Sequence, residues 1–156
     1  MHFTNIASRF RHQIKNTPFK HVLKQKKNKQ WIEYTNNDLN NKILYCIEQL
    51  KQHKIYAKDL IVYKGKNSVD WIAWNMATYA LGATWVPLYA NQNTKYVNHV
   101  VGDSLPKLYI TDNIEENINH GFIDADYEMK VIGNHVPDFD VNEQHNVFGV
   151  LPEKMS

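Results

Sequence analysis

The sequence predicts an α/β fold: a layered, mostly parallel sheet with flanking helices, preceded by an N-terminal hairpin. Apolar runs of strand length alternate with helical periodicity across residues 60–132, and the connections are short. Such alternation implies parallel strands joined by right-handed crossovers. Earlier in the chain, two short runs at 19–23 and 30–34 flank a lysine-rich segment, as in a β-hairpin. We therefore expect an N-terminal segment (1–18), an α/β subdomain (19–133) and an irregular tail (134–156).

The N-terminal elements follow from periodicity and charge. Residues 1–18 have weak helical periodicity that ends before Pro18. The segment 24–29 (Lys-Gln-Lys-Lys-Asn-Lys) is expected to form the charged tip of the hairpin. Its lysines either keep the edge strands from pairing with other chains or attract phosphate or an anionic membrane, and the sequence leaves both open.

A capping box predicts the start of the next helix. Thr35 is followed three residues later by Asp38, an acid shorter than the usual glutamate. The apolar face of this helix is Leu39, Ile43, Cys46, Ile47 and Leu50, and the opposite, solvent face is Asn41, Glu48 and Gln52. The run 60–63 (Leu-Ile-Val-Tyr) then predicts a strand buried on both faces.

The stretch 67–88 predicts a helix, a stop and a buried strand. Asn67 or Ser68 caps the helix, and Gly82 supplies the left-handed conformation that ends it. The apolar stripe is Val69, Ile72, Ala73, Met76, Ala77 and Ala80, and the strand 83–86 is expected to end at Pro87. Trp71 and Trp74 fall on the opposite side of the helix. We expect this Trp71/Trp74 face to need a cover that the chain does not supply.

The last predicted elements are shorter. A helix containing Tyr96, Val97, Val100 and Val101 is expected to stop at Gly102, and the strand 107–111 follows it. Asp112 is a candidate cap for a helix containing Ile114 and Ile118. The strand 129–132 closes the series.

The composition excludes few classes of protein. The formal charge of +2 does not by itself indicate nucleic acid or another polyanion as partner, so we expect none. The only cysteine, Cys46, fits a buried thiol in a reducing, cytoplasmic setting. The uncharged stretch 71–94 is long enough to cross a bilayer, but its polar and proline interruptions favour a helix and a strand over a transmembrane segment.

We find no catalytic constellation among these residues. The segment 65–67 (Gly-Lys-Asn) lies between a strand and a helix, where α/β proteins hold phosphate, but Leu60 and Asn67 stand where the phosphate-loop pattern needs glycine and Ser or Thr. The acids Asp124, Asp126 and Glu128 resemble the start of a calcium loop, but Met129 and His135 replace its glycine and glutamate. Asp138 and Asp140 are expected in a hydrated loop. We predict no catalytic, cofactor-binding or metal residue.

The order of these signals resembles the N-terminal region of AMP-forming acyl-CoA synthetases, and most closely that of the long-chain fatty acyl-CoA synthetases. The resemblance covers about residues 31–112, and Ile55-Tyr-Ala57 replaces a glycine turn that is frequent in that family. Five blocks in register carry it: Trp31-Ile-Glu-Tyr-Thr, Lys58-Asp-Leu-Ile-Val-Tyr, Asn67-Ser-Val-Asp-Trp71, Ala80-Leu-Gly-Ala-Thr-Trp-Val-Pro-Leu88 and Gly102-Asp-Ser-Leu-Pro-Lys-Leu-Tyr-Ile-Thr-Asp112.

The resemblance implies an adenylate-forming large domain of which this chain is a part. The family activates a fatty acid with Mg-ATP and transfers the acyl group from AMP to CoA. Its phosphate loop and later catalytic motifs do not occur in these 156 residues. We therefore expect a fragment that is inactive alone and has the remainder of the synthetase as its partner, with Asn67, Trp71, Gly82 and Pro87 as scaffold. The alternatives are a non-catalytic module that docks through the Trp71/Trp74 face and an unrelated flavodoxin-like domain.

Overall fold

The computed structural model describes residues 6–116, 118 and 127–139. A four-stranded parallel sheet, in the order β4-β3-β5-β6, follows an antiparallel hairpin of β1 and β2. The α/β prediction and the preceding hairpin are confirmed. The elements are α1 (Ile6–Asn16), β1 (His21–Lys27), β2 (Gln30–Thr35), α2 (Asn36–Gln52), β3 (Leu60–Gly65), α3 (Val69–Ala80), β4 (Thr84–Tyr89), α4 (Thr94–Ser104), β5 (Leu108–Thr111) and β6 (Lys130–Gly133).

Helices cover both faces of the sheet. On one face, Ile61 and Ile110 belong to the larger core, which also contains the buried residues of α2 and α3. On the other face, Val62 and Tyr109 pack with Val97 of α4. Because both faces are covered, β3 and β5 are buried along almost their whole length, as their unbroken apolar runs predict.

The hairpin is longer than the sequence suggested. Only Asn28 and Lys29 form its turn, and both have positive φ angles, 50° and 65°. A two-residue turn with this backbone matches the twist of the strands it joins. The prediction of a tip at 24–29 is therefore wrong: Lys24 and Lys26 lie within β1, where they alternate with less exposed neighbours.

Helix α2 begins as predicted but is covered more completely. Thr35 Oγ1 accepts a hydrogen bond from Asp38 N at 3.1 Å, and Asp38 Oδ2 accepts one from Thr35 N at 2.8 Å, which confirms the capping box. Asn41, expected at the solvent face, is only 1% exposed. The cause is that α1 and β2 contact α2 in addition to α3.

Two predicted stops lie inside elements. Pro87 is part of β4, which tolerates proline because an edge strand pairs on one side only. Gly102 is part of α4, which continues to Ser104 and is followed by Leu105 in the left-handed conformation, with φ 48°. In contrast, Gly82 has the expected positive φ of 70° after α3.

After β5 the chain turns instead of starting a helix within the described residues. Asn113 Oδ1 accepts from Glu115 N at 3.2 Å, a local turn that replaces the first helical turn expected after Asp112. The other residues of that predicted helix lie mostly outside the described ranges.

Helix α3 is covered on the side predicted to be bare. Trp74 is 1% exposed, and its indole Nε1 donates to Asn134 O at 2.8 Å. Trp71 is half-buried and meets Trp85 edge-on, with ring centroids 5.6 Å apart. The prediction of an exposed Trp71/Trp74 face is therefore wrong, because Trp71 packs against Trp85 of β4 and Trp74 bonds to Asn134, which follows β6.

The stretch 71–94 contains α3, β4 and their loops, as predicted. Among the residues that the structure describes, no helix has the length and apolar character needed to span a membrane. The boundary predicted after 133 stays a prediction, although Asn134 and Val136 already contact the subdomain.

Candidate functional site

The four parallel strands end together at the carboxyl edge of the sheet. Strands β3, β4, β5 and β6 end there at Gly65, Tyr89, Thr111 and Gly133. In open α/β sheets, ligands bind in crevices at this edge. The segment 65–67, considered for phosphate binding from the sequence, lies at this edge.

Part of this edge is tightly closed. Asn134 Nδ2 donates to Tyr63 Oη at 2.9 Å. A Cβ atom on Gly65 would lie 3.0 Å from both Asn134 Nδ2 and Tyr63 Cε1, which explains glycine at this position. Burial raises the pKa of Tyr63 to about 12, so the phenol is protonated at neutral pH and its role here is structural.

An open cleft of about 500 Å³ lies beside the closed part. The hairpin contributes Lys24, Lys26 and Trp31 to it, and the loop after β3 contributes Lys66. The structure thus brings together two segments that the sequence had separately singled out for anions. The other lining residues are Gln25, Asn67, Ser68, Asp112 and Asn134.

The N-terminus of α3 does not supply the positive character of this cleft. Gln25 Oε1 accepts from Val69 N at 2.8 Å, and Ser68 Oγ accepts from Trp71 N at 3.0 Å. These bonds satisfy two of the backbone N–H groups that an anion would otherwise use. Of the two cap candidates, Ser68 performs this role. The lysine side chains therefore carry the charge.

Lys42 forms the main buried ionic cluster. Its side chain is 2% exposed, and Nζ lies 3.0 Å from Asp70 Oδ1 and 3.0 Å from Asp138 Oδ1. It also donates to Val136 O at 2.9 Å. Partial burial raises the pKa of Asp138, but the hydrogen bond and charge of Lys42 outweigh that effect and hold the pKa below its usual value, with help from Lys27.

This cluster was missed by the sequence analysis. Asp138 lies in an exposed loop, as expected, but its carboxylate also pairs with Lys42 of α2. One signal was available, because Lys42 lies three residues after Leu39 and hence on the apolar face of the helix. Asp140, the other acid of that predicted loop, lies outside the described residues.

A second ionic cluster lies on the α4 side of the sheet. Lys64 Nζ and Glu116 Oε1 are 2.6 Å apart, and both side chains are less than a tenth exposed. Tyr109 Oη donates to Glu116 Oε2 at 3.0 Å. Burial, followed by the charge of Glu116, raises the pKa of Tyr109. Both buried lysines are therefore already neutralised by carboxylates, which suits a structural role.

The remaining candidates show no catalytic arrangement. Cys46 is fully buried, and burial raises the pKa of its thiol well above the usual value, so it is an unreactive core residue. Ser104 Oγ donates to Val100 O inside α4. In the part of the chain that the structure describes, no three His, Cys, Asp or Glu side chains group as metal ligands. Of the three acids whose spacing resembles the start of a calcium loop, Asp124 and Asp126 lie outside this part.

The groups implied by the resemblance do not fit these residues. ATP and CoA need cations and backbone donors that face their phosphates. Here Lys42 and Lys64 are paired internally, and the first donors of α3 are occupied by Gln25 and Ser68. We therefore derive no step through ATP, magnesium or CoA from this chain. The prediction of no catalytic or cofactor-binding residue stays a prediction.

Fold and sequence together define the class of protein. Residues 10–148 match the model of the AMP-binding enzyme family, which is most of the chain. The chain therefore belongs to the AMP-binding enzyme family. A comparison with curated proteins gave no significant match.

Solved structures with the same fold include adenylate-forming enzymes. The N-terminal subdomain of Klebsiella oxytoca NpsA is similar with a TM-score of 0.71 and 15% identity, over 98% of this chain and 36% of that one. The fatty acid AMP ligase from Legionella pneumophila is similar with a TM-score of 0.60 and 15% identity, over 67% of this chain and 19% of that one. IdnL1 is similar with a TM-score of 0.68 and 19% identity, over 76% of this chain and 25% of that one. The chain thus spans between a fifth and a little over a third of the length of these neighbours.

Proposed function

We propose that this chain is the N-terminal part of an ATP-dependent, AMP-forming fatty acyl-CoA synthetase that acts in the cytoplasm. The five sequence blocks in register, from Trp31 to Asp112, carry the proposal. The likeness to a fatty acid AMP ligase and to the NpsA subdomain supports the adenylate-forming scaffold. The buried free thiol of Cys46 agrees with a reducing compartment.

In this proposal the 156 residues do not activate a carboxylate alone. Their buried lysines are consumed by internal ion pairs, and the sequence contains no Ser/Thr/Gly-rich loop ending in lysine. The remainder of the synthetase supplies the groups that hold ATP, magnesium, CoA and the fatty acid. The chain then serves as the scaffold on which those groups are placed.

Pyrophosphate exchange tests the proposal that the chain alone does not adenylate a carboxylate. The purified chain, incubated with palmitate, Mg-ATP and labelled pyrophosphate, is expected to give no exchange above a protein-free control. Robust exchange would show that these residues suffice for adenylation and would overturn the proposal that the chain is inactive alone.

Product analysis tests the substrate class. The complete enzyme, offered equal concentrations of palmitate, benzoate and leucine with ATP and CoA, is expected to form palmitoyl-CoA and AMP. Formation of an aryl or aminoacyl product in preference to palmitoyl-CoA would refute the fatty-acid assignment while leaving the family unchanged.

A further inference from the structure

Although the net charge of this chain is small, its basic and acidic residues are unevenly distributed along the sequence. The first 32 residues contain eight of the 18 basic side chains and none of the 16 acidic ones, which leaves ten basic against 16 acidic side chains in residues 33–156. The N-terminal part therefore carries +8 and the rest carries −6. Such asymmetry is typical of a segment that meets an anionic surface.

Five of these eight cations lie in or next to the hairpin. Side chains alternate across a strand, so Lys24 and Lys26 share the outer face of β1, while Lys27 points to the inner face. Trp31 lies opposite Lys26 in the register and so belongs to the same outer face. We define the hairpin face as Lys24, Lys26, Trp31 and Glu33 together with the flanking exposed residues Phe19, Lys20 and Lys29.

The positive charge of the hairpin face is mostly uncompensated. Glu33 pairs with Lys24 at 3.1 Å and with His21 at 2.9 Å. Lys20, Lys26 and Lys29 have no ion-pair partner among the residues that the structure describes.

The cleft that Lys24, Lys26 and Trp31 of the hairpin face also line has both signs of charge. Lys66 adds one cation to it, and Asp112 adds one anion. The excess on the hairpin face is thus carried by the lysines of the hairpin itself.

Large apolar side chains are interleaved with these cations. Phe19 is 68% exposed and Trp31 is 66% exposed. They are separated by most of the length of the hairpin, with Lys20, Lys24 and Lys26 between them and Lys29 in the turn beyond Trp31. An indole next to lysines suits the headgroup region of a bilayer, where the ring is half-solvated and the ammonium groups meet lipid phosphates.

We propose that the hairpin face docks peripherally on an anionic lipid bilayer. Clusters of about four to eight Lys or Arg residues are typical of segments that bind anionic lipid, and each such residue near the surface contributes a few-fold to the partition coefficient. Trp31 and Phe19 add apolar insertion to the electrostatic attraction. Single-stranded nucleic acid is less suitable, because stacking needs aromatic side chains at successive bases along a groove, and these two lie at opposite ends of the hairpin.

Vesicle co-sedimentation of the full chain tests the electrostatic part. The chain is expected to sediment with vesicles of phosphatidylglycerol and phosphatidylcholine but not with phosphatidylcholine alone. The triple variant Lys20→Gln, Lys26→Gln, Lys29→Gln is expected to lose on the order of 100-fold in partition coefficient. The matched control, Lys51→Gln, Lys95→Gln, Lys130→Gln, removes three exposed lysines elsewhere and is expected to change it less than about threefold.

Fluorescence quenching tests the orientation. Phosphatidylglycerol with brominated acyl chains is expected to quench the tryptophan emission of the wild type, and Trp31→Phe removes the quenched component because the other three tryptophans lie outside the hairpin. Equal binding to neutral vesicles, equal loss in both triple variants, quenching that persists in Trp31→Phe, or tighter binding to a single-stranded oligonucleotide than to anionic vesicles would each overturn the proposal.

Discussion

Replacement of Lys42 by methionine tests whether the buried ionic cluster holds the subdomain together. Methionine keeps the unbranched apolar stem and removes only the ammonium group. Asp70, whose side chain is 18% exposed, then keeps a hydrogen bond from Val136 N at 3.2 Å but no cation. Breaking a buried pair by removing one partner costs roughly 3–5 kcal/mol. We expect the lower end, about 3 kcal/mol, because water reaches the half-exposed Asp138.

Urea unfolding followed by circular dichroism measures this cost. With a slope of about 2 kcal/mol per molar urea, the midpoint of Lys42→Met is expected to fall by roughly 1.5 M. Lys51→Met, on an exposed position of the same helix, is the matched control and is expected to stay within about 0.3 M of the wild type. Equal midpoints for both variants would refute the reasoning that the cluster is a structural support.

Three further predictions concern caps, charge and backbone. Thr35→Ala removes the acceptor for Asp38 N and is expected to lower the free energy of unfolding by about 1 kcal/mol, measured by urea titration; no change would contradict the capping role. Because the folded pKa of Asp138 is lowered, its contribution is present above the unfolded value of 3.8 and is lost as the pH falls through the folded value. Asp138→Asn should therefore be less stable than the wild type at pH 7, with a difference that narrows below about pH 4 in thermal melts; a constant difference would exclude the Lys42 pairing as its cause. Gly82→Ala forces a Cβ into a left-handed residue and should cost about 1–2 kcal/mol in the same melts, whereas an unchanged melting temperature would show that the turn rearranges freely.

Local signals in the sequence predicted most of the elements. The capping box of Thr35 and Asp38, the positive φ of Gly82 and the buried strand β3 all depend on residues within a few positions of one another. The error at Pro87 has a tertiary cause. Whether such a residue ends an element depends on where the element lies, and β4 tolerates proline because it is an edge strand.

The sites could not be predicted in the same way. Lys42 bonds to Val136 across 94 positions, and Trp74 bonds to Asn134 across 60. Nothing in the spacing of these residues indicates that they meet, because the contacts exist only after the sheet has formed. The exposed tryptophan pair was expected for the same reason: the segment that buries Trp74 had no regular pattern of its own.

The amino-acid sequence by itself determined the alternation of strands and helices, the hairpin, and the family to which the chain belongs. Each of these depends on short-range periodicity and on blocks of neighbouring residues. Only the tertiary structure decided which lysines are buried with carboxylates and which remain on the hairpin face. The physical reason is that a buried ammonium group is stable only beside a carboxylate, and chain folding determines which residues become neighbours.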